Sequence, residues 1–321
     1  MKTNIIGVDV GGTKCAVTYG QKEGFELHIR EKIRFATTDV DETIANIVRA
    51  VDDVMRKNGL TAGNTAAIGV SCGGPLDSRT GVVMSPPNLP GWDNIPIVKL
   101  LGDRFGIRTG IHNDANACAL AEWKFGAGIG ARNMAFLTFG TGLGAGLILD
   151  GKLYAGTNDN AGELGHIRLS EFGPVGYGKC GSFEGFASGG GIAQLARFKV
   201  SEKQQMGESV AWCPPGQLDS ISAHTVALAA ASGDPLALEI YRISATYLGR
   251  GLAMVIDLLN PEVIVIGSIY VRNRELMEPF VLQEIEREAL SHARRVCSVR
   301  PAKLGEQIGD YAALSVAANL I

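Results

Sequence analysis

The segment Ile5–Tyr19 reads IIGVDVGGTKCAVTY and predicts the β-hairpin that opens the fold. The runs IIGVDV and CAVTY have the β-branched, alternating character of strands, and GGTK between them supplies the turn. A glycine-rich turn lets backbone N–H groups approach a phosphate without obstruction by Cβ atoms. Asp9, just before this turn, could hold Mg²⁺ directly or through a water molecule.

A second hairpin of the same design follows at 135–154, where AFLTFGTGLGAGLILDGKLY again places a glycine turn between two β runs. The hydroxyls of Thr138 and Thr141 add hydrogen-bonding groups to this turn. A strand follows each turn, so neither matches the phosphate loop G-x-x-x-x-G-K-[ST] or the dinucleotide fingerprint, which both require a helix there. Either turn alone is consistent with an ordinary tight hairpin, but the pair favours a clamp for nucleotide phosphates.

Strands and helices alternate between and beyond these hairpins. Apolar residues at helical spacing from Ile44 to Met55 predict a helix, and Asn58 with Gly59 predicts its end. Other segments predict a strand at 66–71, a helix at 113–125, a long helix at 236–259 and a strand in VIVIGS at 263–268. This alternation indicates an α/β protein with mixed sheets.

The sequence HNDANA at 112–117 places Asp114 where a strand end meets the start of a helix. Taken alone, Asp114 suits the role of a helix N-cap, and the helix dipole would lower the pKa of its carboxyl. Beside two phosphate turns it instead suits a general base, because phosphoryl transfer asks mainly for positioning of the attacking hydroxyl.

Two later segments carry side chains that suit sugar hydroxyls. NAGELGH contains Glu163 and His166 among glycines, and SFEGFASGGG contains Glu184. Carboxylates and an imidazole can form several hydrogen bonds to vicinal hydroxyls. The alternatives are solvated surface carboxylates for the two glutamates, and a metal ligand or a structural histidine for His166.

Composition argues against several classes of protein. The 30 Lys and Arg nearly balance the 33 Asp and Glu, which is unlike a protein built to bind nucleic acid or an anionic membrane. No apolar stretch reaches the ~20 residues of a membrane helix, and MKTNIIGVDVGGTK lacks the features of a signal peptide. The scattered cysteines form no C-x-x-C pair, which favours reduced thiols in a cytoplasmic protein.

In their order and spacing, these motifs together resemble the ROK (repressor, open reading frame, kinase) family over nearly the whole chain. GVDVGGTK and LTFGTGLGAG resemble its two phosphate motifs, and HNDANA resembles its catalytic-aspartate motif. GELGH and E-x-F-A-S-G resemble its sugar-binding segments, and NPEVIVIGS resembles the strand that approaches the nucleotide.

The resemblance implies the actin-like ATPase and hexokinase (ribonuclease H-like) fold, in which two α/β domains close over a cleft. We expect a smaller domain at 1–115, which the C-terminal helix near 308–321 could complete, and a larger domain at 116–307. The resemblance also implies ATP- and Mg²⁺-dependent phosphorylation of a hexose or N-acetylhexosamine hydroxyl, usually the 6-hydroxyl. The expectation of a homodimer rests on the family resemblance alone.

On the same basis the resemblance gives the matching residues their roles. Asp114 would orient and deprotonate the sugar hydroxyl, and Asp9 would serve the Mg²⁺. The sugar ligands would be Gly74, Asn88, Asn113, Asp114, Glu163, His166 and Glu184. The nucleotide and its phosphates would contact Asp9, Gly11, Gly12, Thr13, Lys14, Thr138, Gly140, Thr141, Gly142 and Gly267. Ser268 and Ile269 replace glycines that often follow Gly267 in the family.

Zinc is the main departure from the family pattern. Many ROK proteins carry C-x-C-G-x-x-G-C-x-E, whose three cysteines join the histidine of the GH motif on a structural Zn²⁺. Here the three cysteine positions hold Val175, Tyr177 and Ser182. One remaining cysteine and one histidine cannot form a closed four-ligand site. We therefore predict no zinc, with the loop held by packing of Tyr177 and Phe183; one zinc per chain in a metal analysis would contradict this.

Two alternatives stand beside a kinase. A sugar-responsive regulator normally carries a helix-turn-helix domain before the first phosphate motif, and this motif begins at Gly7, which leaves no room for one. A non-catalytic sugar-binding paralogue disagrees with an intact Asp114 and two phosphate turns. The sugar stays open among glucose, mannose, fructose, allose, N-acetylglucosamine and N-acetylmannosamine.

Overall fold

The computed structural model describes residues 2–321, which divide into two compact units. Unit 1 contains the residues up to 132 together with 146–161 and 303–321, and unit 2 contains 133–145 and 162–302. Strands and helices alternate along the chain, so the predicted α/β class is confirmed. None of the helices in residues 2–321 has both the length and the apolar character needed to cross a membrane.

The elements are numbered in chain order. The strands are β1 (Thr3–Val10), β2 (Lys14–Glu23), β3 (Glu26–Ala36), β4 (Thr65–Cys72), β5 (Leu76–Asp77), β6 (Val82–Val83), β7 (Thr109–Asn113), β8 (Met134–Phe139), β9 (Leu143–Leu149), β10 (Lys152–Tyr154), β11 (Val175–Gly176), β12 (Lys179–Cys180), β13 (Val263–Ile266) and β14 (Ser298–Pro301). The helices are α1 (Val40–Lys57), α2 (Ile97–Phe105), α3 (Asp114–Phe125), α4 (Phe183–Phe186), α5 (Gly189–Gln205), α6 (Ala223–Ala231), α7 (Pro235–Leu259), α8 (Ile269–Arg272), α9 (Arg274–Glu288), α10 (Ser291–Val296) and α11 (Ile308–Asn319).

A five-stranded mixed sheet with the order β3–β2–β1–β4–β7 forms the centre of unit 1. Strand β1 pairs antiparallel with β2 in the predicted hairpin and parallel with β4, which in turn pairs parallel with β7. Val10 lies opposite Cys72, and Cys72 lies opposite Asn113. The C-terminal ends of the three parallel strands therefore meet at one edge of the sheet, and the residues that follow them lie close together.

Two apolar clusters cover the two faces of this sheet. Ile6 of β1 belongs to a cluster with Ile47 of α1, whereas its neighbour Ile5 belongs to a second cluster with Leu314 of α11. Successive residues of a strand point to opposite faces, which is why adjacent isoleucines enter different clusters. Because both faces are covered, β1 reads as a nearly continuous apolar run.

Helix α11 packs on the sheet at two glycines. A Cβ on Gly7 would lie 2.8 Å from the backbone N of Leu314, and a Cβ on Gly69 would lie 2.2 Å from that of Ala317. Only glycine permits so close an approach, so the C-terminal helix lies directly on β1 and β4 within unit 1. The predicted domain limit at residue 115 falls at the start of α3, whereas unit 1 continues to 132, because α3 also packs against α11.

The second five-stranded sheet has the order β10–β9–β8–β13–β14 and includes the second glycine hairpin. Strand β13 pairs in parallel with both β8 and β14. The long helix α7 ends where Asn260 adopts the left-handed conformation (φ 45°), just before Pro261. The segments predicted at 66–71, 236–259 and 263–268 thus appear as β4, α7, and β13 with the loop after it.

Candidate active site

The first glycine turn joins β1 to β2, and Gly12 lies exposed at its tip. A Cβ on Gly12 would lie 2.3 Å from the backbone O of Asn88, so a larger residue would displace the Asn88 loop. Thr37 holds the turn, since its Oγ1 donates to Gly11 O (2.6 Å) and its backbone N donates to Thr13 O (3.1 Å). The carbonyls of the turn are thus bound by the protein while Gly12 and Thr13 stay accessible to a ligand.

The loop that carries Asn88 brings two predicted sugar ligands to this turn. A Cβ on Gly73 would lie 3.0 Å from Asn88 Oδ1, so the amide of Asn88 lies directly over Gly73. Asn88 is exposed, and within residues 2–321 no heavy atom outside its chain neighbours comes within 4 Å of a Cβ built on Gly74. The space above Gly74 is therefore open beside Asn88.

Asp9 lies near the end of β1 among several charges. The pKa of its carboxyl is raised to about 6: burial is the largest cause, Lys32 opposes it, the charge of Asp114 adds to it, and Lys14 lowers it. Lys32 itself forms an ion pair with Asp310 at the start of α11. No sequence motif identifies Lys32, because it lies in the middle of a strand. The pairing of β2 with β3 brings it towards Asp9.

Asn113, and not Asp114, caps helix α3. The Oδ1 of Asn113 accepts a hydrogen bond from the backbone N of Asn116 (2.8 Å), and Asp114 is the first helical residue. The N-cap interpretation of Asp114 is therefore wrong, because β7 delivers Asn113 in the extended conformation (φ −65°, ψ 162°) that an N-cap adopts. Asp114 is solvent-accessible, and its Oδ1 accepts a short-range bond from the backbone N of Ala115 (2.8 Å).

The pKa of the Asp114 carboxyl is raised, which is the opposite of the predicted direction. Desolvation by the surrounding protein is the largest cause, and the backbone hydrogen bonds at the helix N-terminus, which lower the pKa, are too weak to reverse it. The predicted direction followed from the helix dipole alone, whereas desolvation of the carboxyl has the larger effect on its pKa. A carboxylate with a raised pKa accepts a proton more readily, which suits a general base.

The second glycine turn joins β8 to β9 and is held by the first residues of α5. The backbone N of Gly189 donates to Gly140 O (2.8 Å), and the backbone N of Gly190 donates to Thr141 O (3.1 Å). Both turns of the chain thus have their carbonyls bound by neighbouring segments. The backbone N of Gly140 itself donates to Gly142 O (3.1 Å), so the N–H groups of Thr141 and Gly142 are the ones that suit an anion at this turn.

A cavity of about 900 Å³ lies beside this turn, entirely within unit 2. Its walls are the turn at 140–141, the start of α5, helix α6 and the segment 268–273. Helix α6 contributes small apolar side chains, namely Ala223, Ala227 and Ala231. The cavity lies within the size range of small-molecule sites, and its combination of a glycine turn with an apolar wall suits the phosphates and the base of a nucleotide.

Two predicted nucleotide residues also have structural partners. The hydroxyl of Thr138 accepts from the backbone N of Gly144 (2.9 Å) and so closes the second hairpin. Gly267 donates its backbone N to Leu137 O (2.9 Å) and does not line the cavity, whereas the next residue, Ser268, does. Ser268 adopts a positive φ of 54°, the conformation that favours the glycine it replaces.

The GELGH segment and Glu184 lie together in unit 2. A Cβ on Gly165 would lie 2.4 Å from Leu143 O and 3.3 Å from the Cβ of Glu184. The Oε2 of Glu184 accepts from the backbone N of Leu143 (2.9 Å), and a Cβ on Gly142 would lie 2.7 Å from the same oxygen. Glu184 therefore connects the predicted sugar-binding turn at 164–166 with the end of the second phosphate turn.

The packing predicted for the loop after His166 is half right. Phe183 is fully buried, but Tyr177 is 80% exposed and contacts only the edge of the His166 ring, with 6.1 Å between the ring centroids. Tyr177 cannot contribute core packing because it stands at a positive φ (44°) at the tip of the β11–β12 hairpin. The ring contact offers His166 an orienting partner in place of a metal.

Backbone hydrogen bonds hold this loop. Phe183 donates to Ile167 O (2.7 Å), Leu169 donates to Gly181 O (2.8 Å), and Gly181 donates to Pro174 O (2.9 Å). Over residues 2–321 no three His, Cys, Asp or Glu side chains are grouped so as to hold a metal ion. The absence of zinc from the purified protein stays a prediction.

Comparisons with known proteins place these features in one family. The ROK family profile matches residues 5–319. The chain is 31% identical over 314 residues to the glucokinase of Streptomyces coelicolor, covering 97% of this chain and 96% of that protein.

Solved structures agree with this match. A ROK family glucokinase from Streptomyces griseus, in complex with glucose and AMPPNP, has a TM-score of 0.74 and 30% identity over 98% of this chain and 99% of that one. A ROK family transcriptional regulator homologous to the Mlc protein of E. coli has a TM-score of 0.83 and 25% identity over 99% of this chain and 78% of that one. The predicted actin-like ATPase fold is confirmed by the hexokinase and glucokinase structures.

Proposed function

The chain belongs to the ROK family and is an ATP-dependent sugar kinase, and we propose that its acceptor is the 6-hydroxyl of a hexose or N-acetylhexosamine. The glucokinase relatives make glucose the first candidate. The observation that carries the proposal is Asp114, which keeps solvent-accessible surface while the protein packed around its carboxyl raises its pKa, and which lies beside Asp9 and the first glycine turn. A base, a carboxylate for a cation and a phosphate turn are the parts that phosphoryl transfer to a hydroxyl requires.

In this proposal Asp114 receives the proton of the attacking hydroxyl. The hydroxyl oxygen forms a bond to the γ-phosphorus while the bond from that phosphorus to the bridging oxygen breaks, and ADP leaves. Because burial raises its pKa, the Asp114 carboxylate is a better proton acceptor than an aspartate in water. The cap bond of Asn113 keeps the start of α3, and with it Asp114, in a defined position.

The other proposed sugar ligands are divided between the units. In unit 1 they are Gly74, Asn88 and Asn113, which follow β4 and β7 or lie on the loop over the first turn. In unit 2 they are Glu163, His166 and Glu184; the first two lie within two residues of Gly165, whose Cβ position lies 3.3 Å from the Cβ of Glu184. Carboxylates, amides and an imidazole can discriminate among sugars, because an unpaired buried polar group strongly disfavours the wrong substrate.

Magnesium fits the residues present around Asp9. The Asp9 carboxylate is partly accessible, and the negative charge of Asp114 raises its pKa, so a cation at this place would relieve their repulsion. Mg²⁺ in such enzymes is held by one or two carboxylates together with substrate phosphates and water, so a cage of three protein ligands is not required. Asp9 would hold it directly or through water, and the bound ion would neutralise charge on the ATP phosphates.

For the nucleotide we propose the cavity of unit 2. The phosphates would lie against the turn at Gly140, Thr141 and Gly142 and accept from the N–H groups of Thr141 and Gly142, since that of Gly140 already donates to Gly142 O (3.1 Å). The adenosine would lie between α6 and the segment that begins at Ser268. Gly11, Gly12, Thr13 and Lys14 of the first turn stay proposed contacts of a phosphate. The homodimer, the cytoplasmic location and the absence of nucleic-acid partners stay predictions.

An ADP-release screen tests the proposed substrate. Purified protein is incubated with ATP, Mg²⁺ and each of the six candidate sugars, and the position of the new phosphate is read by NMR. We expect turnover on at least one sugar, with phosphate on the 6-hydroxyl. Transfer to another hydroxyl would refute the 6-hydroxyl, and turnover on none of them would refute the hexose proposal.

The pH dependence of kcat/KM for ATP follows from Asp9. Since its pKa in the free enzyme is about 6, the carboxylate takes up a proton as the pH falls through that value and no longer attracts the cation. We expect kcat/KM to be highest above about pH 7 and to fall tenfold per pH unit below about pH 6. An acid limb near about pH 4, the value of an unperturbed aspartate, would contradict this.

The variant Lys32→Gln provides a directional control. Lys32 lowers the pKa of Asp9, so its removal should raise that pKa and move the acid limb to higher pH. Lys99→Gln, which removes an exposed lysine paired with Asp103, should leave the limb in place.

A sugar-sensing regulator is the second candidate. The similarity to a transcriptional regulator of the family, with a TM-score of 0.83, favours it. This candidate predicts sugar binding, measurable by calorimetry, without ADP release in the screen.

A further inference from the structure

A second cavity, of about 370 Å³, lies in unit 1 and contains none of the residues proposed to bind sugar, nucleotide or magnesium. Three turns form its rim, each containing a glycine at positive φ with no neighbouring atom within 4 Å of the Cβ position in residues 2–321. They are Gly24 between β2 and β3, Gly130 after α3, and Gly151 between β9 and β10. The rim is thus formed by segments that are far apart in sequence.

The charged residues that line this cavity are all cations: Lys22, Lys124 and Arg132. Burial lowers the pKa of Lys124, and the nearby charge of Lys22 lowers it further, with no carboxylate acting in the opposite direction. Arg132 forms an ion pair with Asp150, with 3.6 Å between a guanidinium nitrogen and a carboxylate oxygen. An anion bound in the cavity would relieve the repulsion between Lys22 and Lys124 and so stabilise their charged forms.

Aromatic rings supply the remaining wall. Trp123 is oriented by a hydrogen bond from its Nε1 to Ala131 O (2.7 Å), and the ammonium of Lys124 lies 4.7 Å from the centre of its ring. Phe25, at the tip of the β2–β3 turn, is 74% exposed and borders the same cavity. Ring faces beside ammonium groups suit a ligand that joins an anionic group to a compact carbon skeleton.

Helix α3 separates this cavity from the proposed base. Asp114 is its first residue and Lys124 is its eleventh, which corresponds to about 15 Å along the helix axis. A ligand in the cavity therefore does not occupy the place of the hydroxyl that Asp114 is proposed to deprotonate.

We propose that the cavity bounded by Lys22, Lys124 and Trp123 binds a phosphate monoester of a sugar, the class of product that the kinase forms. The phosphate contacts the two lysines and the sugar lies against Phe25 and Trp123. The anion site stands on the cations of the cavity alone, whereas the choice of a sugar rests on the proposed function.

NMR on the whole chain tests this site without interference from the active site. The indole N–H resonance of Trp123, assigned by its loss in Trp123→Phe, is followed while glucose 6-phosphate, inorganic phosphate or glucose is added. We expect a saturable shift with glucose 6-phosphate, binding at least tenfold weaker with inorganic phosphate, and no shift with glucose. In Lys22→Gln/Lys124→Gln the affinity for glucose 6-phosphate should fall by more than tenfold, while Lys99→Gln should bind as the unaltered protein does.

Each other outcome has a definite meaning. A shift that persists in the double variant, or no shift at all, would overturn the site. Equal affinity for inorganic phosphate, or an unchanged affinity in Phe25→Ala, would overturn the sugar part and leave only an anion site. Thermal melting shows whether the variants are folded, and ADP release shows separately whether the proposed function holds, because none of these lysines is assigned to turnover.

Discussion

Replacing Asp114 with asparagine is expected to lower kcat by on the order of 10²- to 10⁴-fold, the range that removal of a general base produces. Asparagine keeps the size of the side chain and an oxygen that can accept from the backbone N of Ala115, which now bonds to Oδ1 at 2.8 Å. It cannot accept the hydroxyl proton. Stopped-flow or coupled assays give kcat, and calorimetry gives the affinity for ATP, which should change little.

The stability of this variant distinguishes loss of chemistry from loss of structure. Burial raises the pKa of Asp114 in the folded chain, so its charged form destabilises the fold at neutral pH. The melting temperature of Asp114→Asn should therefore equal or exceed that of the unaltered protein. Asp103→Asn, at an exposed carboxylate of the same unit, serves as the matched control and should keep full turnover. Full turnover in Asp114→Asn would refute the assignment of the base.

Replacing Glu122 with glutamine is expected to lower the free energy of unfolding by about 3 kcal/mol. Glu122 lies on α3 with no exposed surface. Its Oε2 accepts from the backbone N of Ala127 (2.7 Å) and of Lys303 (3.1 Å), and its Oε1 accepts from that of Leu304 (2.9 Å). A glutamine amide would turn its NH₂ group towards at least one of these N–H donors in either orientation, which leaves that donor buried without an acceptor.

Urea unfolding followed by circular dichroism measures this effect as a shift in midpoint. Glu26→Gln is the matched control, because the Glu26 side chain is 75% exposed and pairs with His28 at the surface, so its loss should change the stability by less than about 1 kcal/mol. Equal midpoints for the two variants would show that the hydrogen bonds between the Glu122 carboxylate and residues 303–304 do not stabilise the fold.

Much of the local structure could be predicted from the sequence. Both glycine hairpins, the helix that starts after Asn113 and the long helix before Pro261 follow from residue patterns that act over a few positions. Such patterns act through backbone conformation and short-range hydrogen bonds, which neighbouring residues control. The order of these motifs was enough to predict the family and the actin-like fold.

The side-chain environments could not be predicted in the same way. Asn113 caps α3 because the helix begins at Asp114, one residue earlier than the cap interpretation of Asp114 required. The hydroxyl of Thr138 closes the hairpin with Gly144, and its contact with a phosphate stays a prediction. Tyr177 was expected to pack against the core, but its side chain is exposed. Each of these outcomes depends on where a side chain points relative to segments distant in sequence.

The sequence by itself determined that this chain is a sugar kinase of the ROK type, since its glycine turns and the segment HNDANA carry that information locally. Only the tertiary structure decided how its acidic groups ionise and where its cations gather. The raised pKa values of Asp9 and Asp114 arise chiefly from desolvation in the folded chain, and the cavity at Lys124 arises from three turns that meet in space. Desolvation and charge repulsion depend on distances between atoms, and folding sets those distances for residues that the chain order keeps apart.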